Sequence, residues 1–132
     1  VALGIDFTAR DLQKKAKAAG LPWLVSKGFD GSAVVGPFVE LEELGHGCGQ
    51  ESAGIDNIGF ELRRNGELVQ KGNTRDMIFP VDELIAYVSR FMTLRTGDLI
   101  FTGTPAGVGP VEVGDVLEGS IEGRPMLRLE IK

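Results

Sequence analysis

Phe60-Glu61-Leu62-Arg63-Arg64-Asn65-Gly66-Glu67-Leu68-Val69-Gln70 is the stretch that decides the fold class. Phe60 to Arg63 alternates apolar and charged side chains, the pattern of a half-buried strand. A second strand candidate begins at Leu68. Asn65-Gly66 stands between them, and both residues tolerate the positive φ that a two-residue hairpin turn requires. Two more turns lie downstream. Gly114-Asp115 leads into a strand over Val116 to Ile121, and Glu122-Gly123-Arg124 leads into another over Met126 to Ile131. Strands that follow one another through tight turns are antiparallel, so the sheet is not of the doubly wound parallel kind.

Upstream of the hairpin, Val1 to Ile5 reads as a short buried strand and Ala33 to Val39 as another. Between them, Thr8 precedes a run of helix formers that stops at Gly20. The pattern predicts a helix over residues 9–18, with Thr8 as its N-cap and Lys14, Lys15 and Lys17 near its negative end. Residues 26–32 read as a loop. Pro80 opens a second helix through about Phe91, with Val81, Leu84, Ile85, Val88 and Phe91 stepping by three and four. Thr96-Gly97-Asp98 turns into a strand at Leu99-Ile100-Phe101. The predicted order is β-α-β-ββ-α-β-ββ, an α+β fold.

At 132 residues and 14.1 kDa the chain is one domain in size. Surface scaling gives roughly 6,700 Å² of accessible area when folded, against about 20,400 Å² unfolded, which allows a real core. The 19 glycines favour turns and close backbone approaches over a helix bundle. A net charge of -5 argues against nucleic acid as a main partner, because phosphate neutralisation needs a basic surface. No apolar run is long enough for a membrane helix. A single cysteine, Cys48, and no recognisable leader lead us to expect a reducing compartment, the cytoplasm. The chain enters at Val1 directly into an apolar stretch, as a chain cut inside a larger domain would.

Five side chains are candidates for chemistry. Asp6 follows the first strand, where a carboxylate on a rigid end suits a hard divalent cation. The plainer reading, a turn or capping aspartate, is the commoner one for such a residue. Arg10 and Gln13 lie three apart on one helix face, near the positive helix end that favours an anion. A solvated polar face is their plainer reading. Lys27 lies beside Gly28 in the following loop, where most lysines are surface residues. Thr104 belongs to Phe101-Thr102-Gly103-Thr104-Pro105-Ala106-Gly107-Val108-Gly109, whose hydroxyls and backbone N–H groups can cradle a carboxylate. That segment is neither a Walker loop nor a dinucleotide fingerprint, and a structural turn also accounts for it. His46 and Cys48 are two soft ligands in a glycine-rich loop over 45–54, too few for a zinc site. Asn73-Thr74-Arg75-Asp76 reads as polar turn chemistry.

Taken in order, the motifs form a pattern. Asp6-Phe7-Thr8-Ala9-Arg10-Asp11-Leu12-Gln13, Gly20-Leu21-Pro22-Trp23 and Lys27-Gly28-Phe29-Asp30 resemble the fumarylacetoacetate hydrolase family. Asn65-Gly66-Glu67, then Gly72-Asn73-Thr74-Arg75-Asp76-Met77-Ile78-Phe79, continue the resemblance. So does Gly97-Asp98-Leu99-Ile100-Phe101 with the Thr102 to Gly109 segment. The form of the first two motifs is similar to the short acylpyruvate hydrolase and oxaloacetate decarboxylase-like members, and residues 45–54 look like an insertion relative to them.

The resemblance implies a mixed β-roll with flanking helices, usually dimeric, and an enzyme of small 2-oxo acids that uses Mg²⁺ or Mn²⁺. In the family three carboxylates hold the ion. One matches Asp6. The other two form an upstream Glu-x-Glu pair with no match here, since Glu40, Glu42 and Glu43 lie downstream of Asp6. The mobile His–Glu catalytic pair is upstream as well. The chain therefore matches the C-terminal part of a catalytic domain as one unit, residues 1–132, and is expected to be inactive alone, with apolar surface left uncovered. By the same resemblance Lys27 and Gln13 are catalytic, and Arg10, Gln13, Lys27 and Thr104 bind substrate. The implied reaction is hydrolysis of the C–C bond of a 3-acylpyruvate. Oxaloacetate decarboxylation and isomerisation of 2-hydroxyhepta-2,4-diene-1,7-dioate are alternatives on the same site. A partner-completed or inactive binding module, or a small-anion binding protein, is the non-enzymatic alternative.

Overall fold

The computed structural model describes residues 1–44 and 54–132. The expected loop over 45–54, with His46 and Cys48, lies outside the described residues except for Gly54.

Two antiparallel sheets carry the fold. β1 (Gly4–Asp6) pairs with β2 (Ala33–Val35), joining Asp6 to Ala33 at one end. Between them run α1 (Arg10–Ala18) and the single-turn α2 (Leu24–Lys27). After the short α3 (Leu41–Leu44) come β3 (Gly59–Arg64) and β4 (Glu67–Asn73), then α4 (Val81–Val88), β5 (Val116–Ile121) and β6 (Arg124–Glu130). The larger sheet has the order β4-β3-β5-β6, with every neighbour antiparallel. This is the α+β class.

The tight turns are where the chain's local chemistry put them. Asn65 and Gly66 sit at φ 52° and 83°, and Glu122 and Gly123 at 48° and 75°. Both pairs have the left-handed conformation of a two-residue hairpin turn that matches strand twist. Asn65 also binds across the sheet. Its amide donates to Asp115 Oδ1 at 2.7 Å and its carbonyl accepts the Val116 N–H at 2.8 Å. The Glu122 carboxylate accepts the Gly59 N–H at the far end of the same sheet.

The core lies on one face of this sheet. Leu117, Ile121 and Met126 are buried, and Ile121 and Met126 cluster with Val39 and Ile58. Val1, Leu3, Leu41 and Leu44 pack against that cluster from the first part of the chain. Gly119 sits on the same face of β5 as Leu117 and Ile121, and a Cβ there would overlap the Leu3 side chain. Leu3 can cross the sheet at that point because the residue is glycine.

Several expectations are corrected. Leu99-Ile100-Phe101 forms no strand: each is exposed, and no described strand pairs with it, so its backbone gains no ladder. Residues 33–39 are strand only through Val35, because Gly36 and Pro37 follow and proline has no N–H to donate. Val1 to Leu3 stay beside that segment through single hydrogen bonds, Gly36 N–H to Leu3 O at 2.9 Å and Val39 N–H to Val1 O at 2.8 Å. Residues 24–27 are helical where a loop was expected to begin. α4 ends at Val88, and a further turn carries the chain to Met92. Thr8 is not the cap of α1: Ala9 occupies that position and no side chain caps it.

The surface is large for the mass. The accessible area is 9682 Å², about 3,000 Å² above that of a folded monomer of this size. Leu24, Val25, Ile78, Phe91 and Met92 are all exposed, and no residue of α4 is buried. The expected uncovered apolar surface is therefore present. Among the described residues no helix is long and apolar enough to cross a membrane.

Candidate active site

Asp6 ends β1, and its carboxylate meets the end of α2. Lys27 Nζ donates to Asp6 Oδ2 at 2.5 Å and to Thr8 Oγ1 at 2.8 Å. Thr8 was expected to cap α1 and instead holds the ammonium. The backbone explains the meeting. The Ala9 N–H binds Ser26 O at 3.0 Å and the Phe7 N–H binds Ser32 O at 2.7 Å, so residues 26–32 run along residues 7–9. Ser26 is buried to 1% exposure and its hydroxyl closes the α2 turn on Trp23 O at 2.7 Å. With Ser26 fixed, Lys27 is aimed at the strand end.

Arg10 and Gln13 face each other on the first turn of α1, as their spacing requires. Arg10 Nη1 donates to Gln13 Oε1 at 2.9 Å. The shared oxygen orients the amide, leaving its N–H₂ with no partner among the described residues.

Thr104 reaches the sheet and not the Asp6–Lys27 pair. Gln70 Nε2 donates to Thr104 Oγ1 at 2.9 Å and to Pro105 O at 3.0 Å. Pro105 packs on Gly72, and Gly107, at φ 100°, lies against the Val69 carbonyl, so residues 104–107 cover the outer edge of β4. At its other end the segment touches β1: a Cβ on Gly4 would lie 2.8 Å from Phe101 Cε1. The Phe101 to Gly107 segment therefore spans from the strand that carries Asp6 to the edge of the larger sheet. Gln70 was not among the expected residues. Only the tertiary approach of residue 104 to residue 70 reveals it.

Asp6 supplies a hard oxygen donor of the kind a divalent cation takes, with the Thr8 hydroxyl nearby, so the donor chemistry fits one side of such a site. A magnesium-like ion wants several oxygens. Among the described residues no three His, Cys, Asp or Glu side chains gather, so they fit one ligand and not a full set.

A cavity of about 410 Å³ lies elsewhere, over Gly59, Phe60, Lys71, Gly72, Arg75 and Glu122. Its charges are already spent on one another. Lys71 Nζ holds Glu61 at 2.8 Å, and that contact keeps the Glu61 carboxyl below its ordinary range, first by hydrogen bonding and then by charge. Arg75 lies 3.9 Å from Asp76. With Glu61, Asp76 and Glu122 outnumbering Lys71 and Arg75 along its wall, this cavity suits an anionic acid poorly.

Comparison with known proteins fixes the class. The family model described as fumarylacetoacetate (FAA) hydrolase C-terminal matches residues 1–132. The chain belongs to the fumarylacetoacetate hydrolase family. It is 42% identical over 131 residues to the mitochondrial oxaloacetate tautomerase FAHD1 of Mus musculus, covering 99% of this chain and 56% of that protein. It is 44% identical over 121 residues to the mitochondrial oxaloacetate decarboxylase of Dictyostelium discoideum, covering 92% of this chain and 52% of that protein. Among solved structures, fumarylpyruvate hydrolase from Pseudomonas aeruginosa in complex with Mn²⁺ and pyruvate superposes with a TM-score of 0.85 at 39% identity, over 98% of this chain and 52% of that one. The chain thus spans about half the length of the relatives it matches.

Proposed function

We propose that this chain is the C-terminal part of a catalytic domain, a β-roll in its complete form, that breaks or rearranges bonds next to the keto group of small 2-oxo acids with Mg²⁺ or Mn²⁺. Cleavage of a 3-acylpyruvate is the leading reaction. The observation that carries the reading is the convergence of Asp6, Thr8 and Lys27 at one strand end, one helical turn from the Arg10–Gln13 pair. The Mn²⁺ and pyruvate bound to the Pseudomonas aeruginosa hydrolase support both the ion and the substrate class.

Asp6 is one ligand of the ion, and the remaining ligands come from outside the described residues. When bound, the ion supplies electrophilic polarisation of the 2-oxo group. The rest is the work of this chain. Lys27 carries a mobile positive charge that stabilises the enolate oxygen as negative charge develops. Gln13, its oxygen held by Arg10, presents amide N–H groups to a substrate oxygen. Arg10 offers a planar fork to a carboxylate. Thr104 accepts from Gln70, which leaves its own O–H proton available to the substrate carboxylate. We place the proton-transfer pair outside these residues, and the domain in a cytoplasmic homodimer.

Oxaloacetate chemistry is the second reading, favoured by the names of the mouse and Dictyostelium relatives. Decarboxylation and tautomerisation of that acid pass through the same enolate, so the same residues serve.

In the complete protein, Asp6→Ala abolishes ion-dependent cleavage of acetylpyruvate and turnover of oxaloacetate, with the circular dichroism spectrum unchanged. Turnover equal to the wild type in that variant refutes the assignment. Lys27→Ala lowers kcat by about a hundredfold, as removal of one charge-stabilising donor does. A rise confined to KM would instead make Lys27 a binding residue.

A further inference from the structure

We propose that the Lys27 ammonium competes with the divalent cation for the Asp6 carboxylate, so that the ion enters only as Lys27 lets go. The inference rests on the reading of Asp6 as a metal ligand. Lys27 Nζ sits 2.5 Å from Asp6 Oδ2, on an oxygen the ion would use. An ammonium has three donors, and Asp6 and Thr8 take two of them. Thr8 is thus a second resting place, 2.8 Å from Nζ, that keeps the ammonium in the site after it leaves the carboxylate. The four-carbon stem of lysine allows that swing. Both side chains are partly exposed, 34% for Lys27 and 48% for Asp6, so the repulsion between ammonium and dication is screened by water and is modest.

The exchange couples two ligands. An anionic 2-oxo acid draws Lys27 toward itself and frees Asp6 for the ion. By reciprocity the ion, in displacing Lys27 from Asp6, delivers it to the acid. Lys27 then prevents the ion from being held tightly before substrate arrives.

The test is titration of the complete protein with Mn²⁺ alone, following free Mn²⁺ by electron paramagnetic resonance. Lys27→Met is expected to bind Mn²⁺ about tenfold more tightly than the wild type, the size of a charge repulsion at a few ångströms in a water-like dielectric. Lys27→Arg keeps the charge and binds as the wild type does. Lys27→Gln, which retains a donor for Thr8, is the parallel variant should Lys27→Met not fold. Asp6→Asn checks the underlying reading and is expected to lose the ion. If Asp6→Asn loses Mn²⁺ while the uncharged Lys27 variants bind no more tightly than the wild type, the competition is overturned and the ligand assignment stands. If Asp6→Asn binds like the wild type, the ligand assignment falls, and the competition with it.

Discussion

At the scale of single residues, Asn65 and Asp115 show how one turn is tied to the strand beside it. Asn65 adopts φ 52° in the hairpin and at the same time bonds Asp115 and Val116. Asn65→Ala loses both bonds and puts an alanine at positive φ, so it should cost about 1–3 kcal/mol in urea unfolding; a cost near zero would mean that the turn does not pin β3 to β5. The Asp115 carboxyl is held below its ordinary 3.8, first by the Glu112 N–H and then by Asn65, and Glu61 is held below 4.5 by Lys71. A carboxyl with a depressed folded pKa stabilises the fold above its unfolded value, and loses that contribution as pH falls through the folded one. Stability should therefore be flat from neutrality to about pH 5 and fall below about pH 4. Asp115→Asn should shallow that acid limb, and an unchanged slope would contradict the assignment. The Arg10–Gln13 pairing was legible in the sequence because helix geometry alone sets it. The role of Thr8 was not: local rules make it a cap, and a lysine 19 positions away claims its hydroxyl.

At the scale of elements, the hairpins were readable because a two-residue turn needs positive φ and the sequence offers residues that accept it at both sites. Leu99-Ile100-Phe101 was not readable as coil. An apolar run becomes a strand only where another strand offers its backbone, and no local signal says whether one will. What this segment does instead is bridge β1 and the β4 edge, with Gly107 as its tightest contact. A Cβ at Gly107 would collide with the Val69 carbonyl, and φ 100° already disfavours one. Gly107→Ala should lift residues 104–107 off β4 and release Thr104 from Gln70. In the complete protein the expected result is a KM raised by several fold with kcat changed less. A kcat loss with unchanged KM would place Thr104 outside substrate binding.

At the scale of the whole molecule, the surface excess of about 3,000 Å² is the dominant fact. It exceeds the ~800 Å² per partner of a standard protein–protein interface. A dimer alone would leave much of the apolar surface of α2, α4 and residues 78–101 in water, whereas relatives about twice as long carry further chain that could cover it. The 132-residue chain on its own should bind a hydrophobic dye and self-associate in size-exclusion chromatography, and the complete protein should do neither. A monodisperse chain without dye binding would contradict this. The incomplete ligand set at Asp6 has the same origin in scale: one carboxylate lies within this stretch, and nothing in its local pattern could supply the others.

The central claim is that Asp6 holds a divalent ion beside Lys27. A crystal structure of the complete protein soaked with Mn²⁺ and oxalate tests it most directly. The account predicts an anomalous peak about 2.1 Å from the Asp6 carboxylate, with the Lys27 ammonium turned toward oxalate. Asp6 still bound to Lys27, with no anomalous density beside it, would contradict the account.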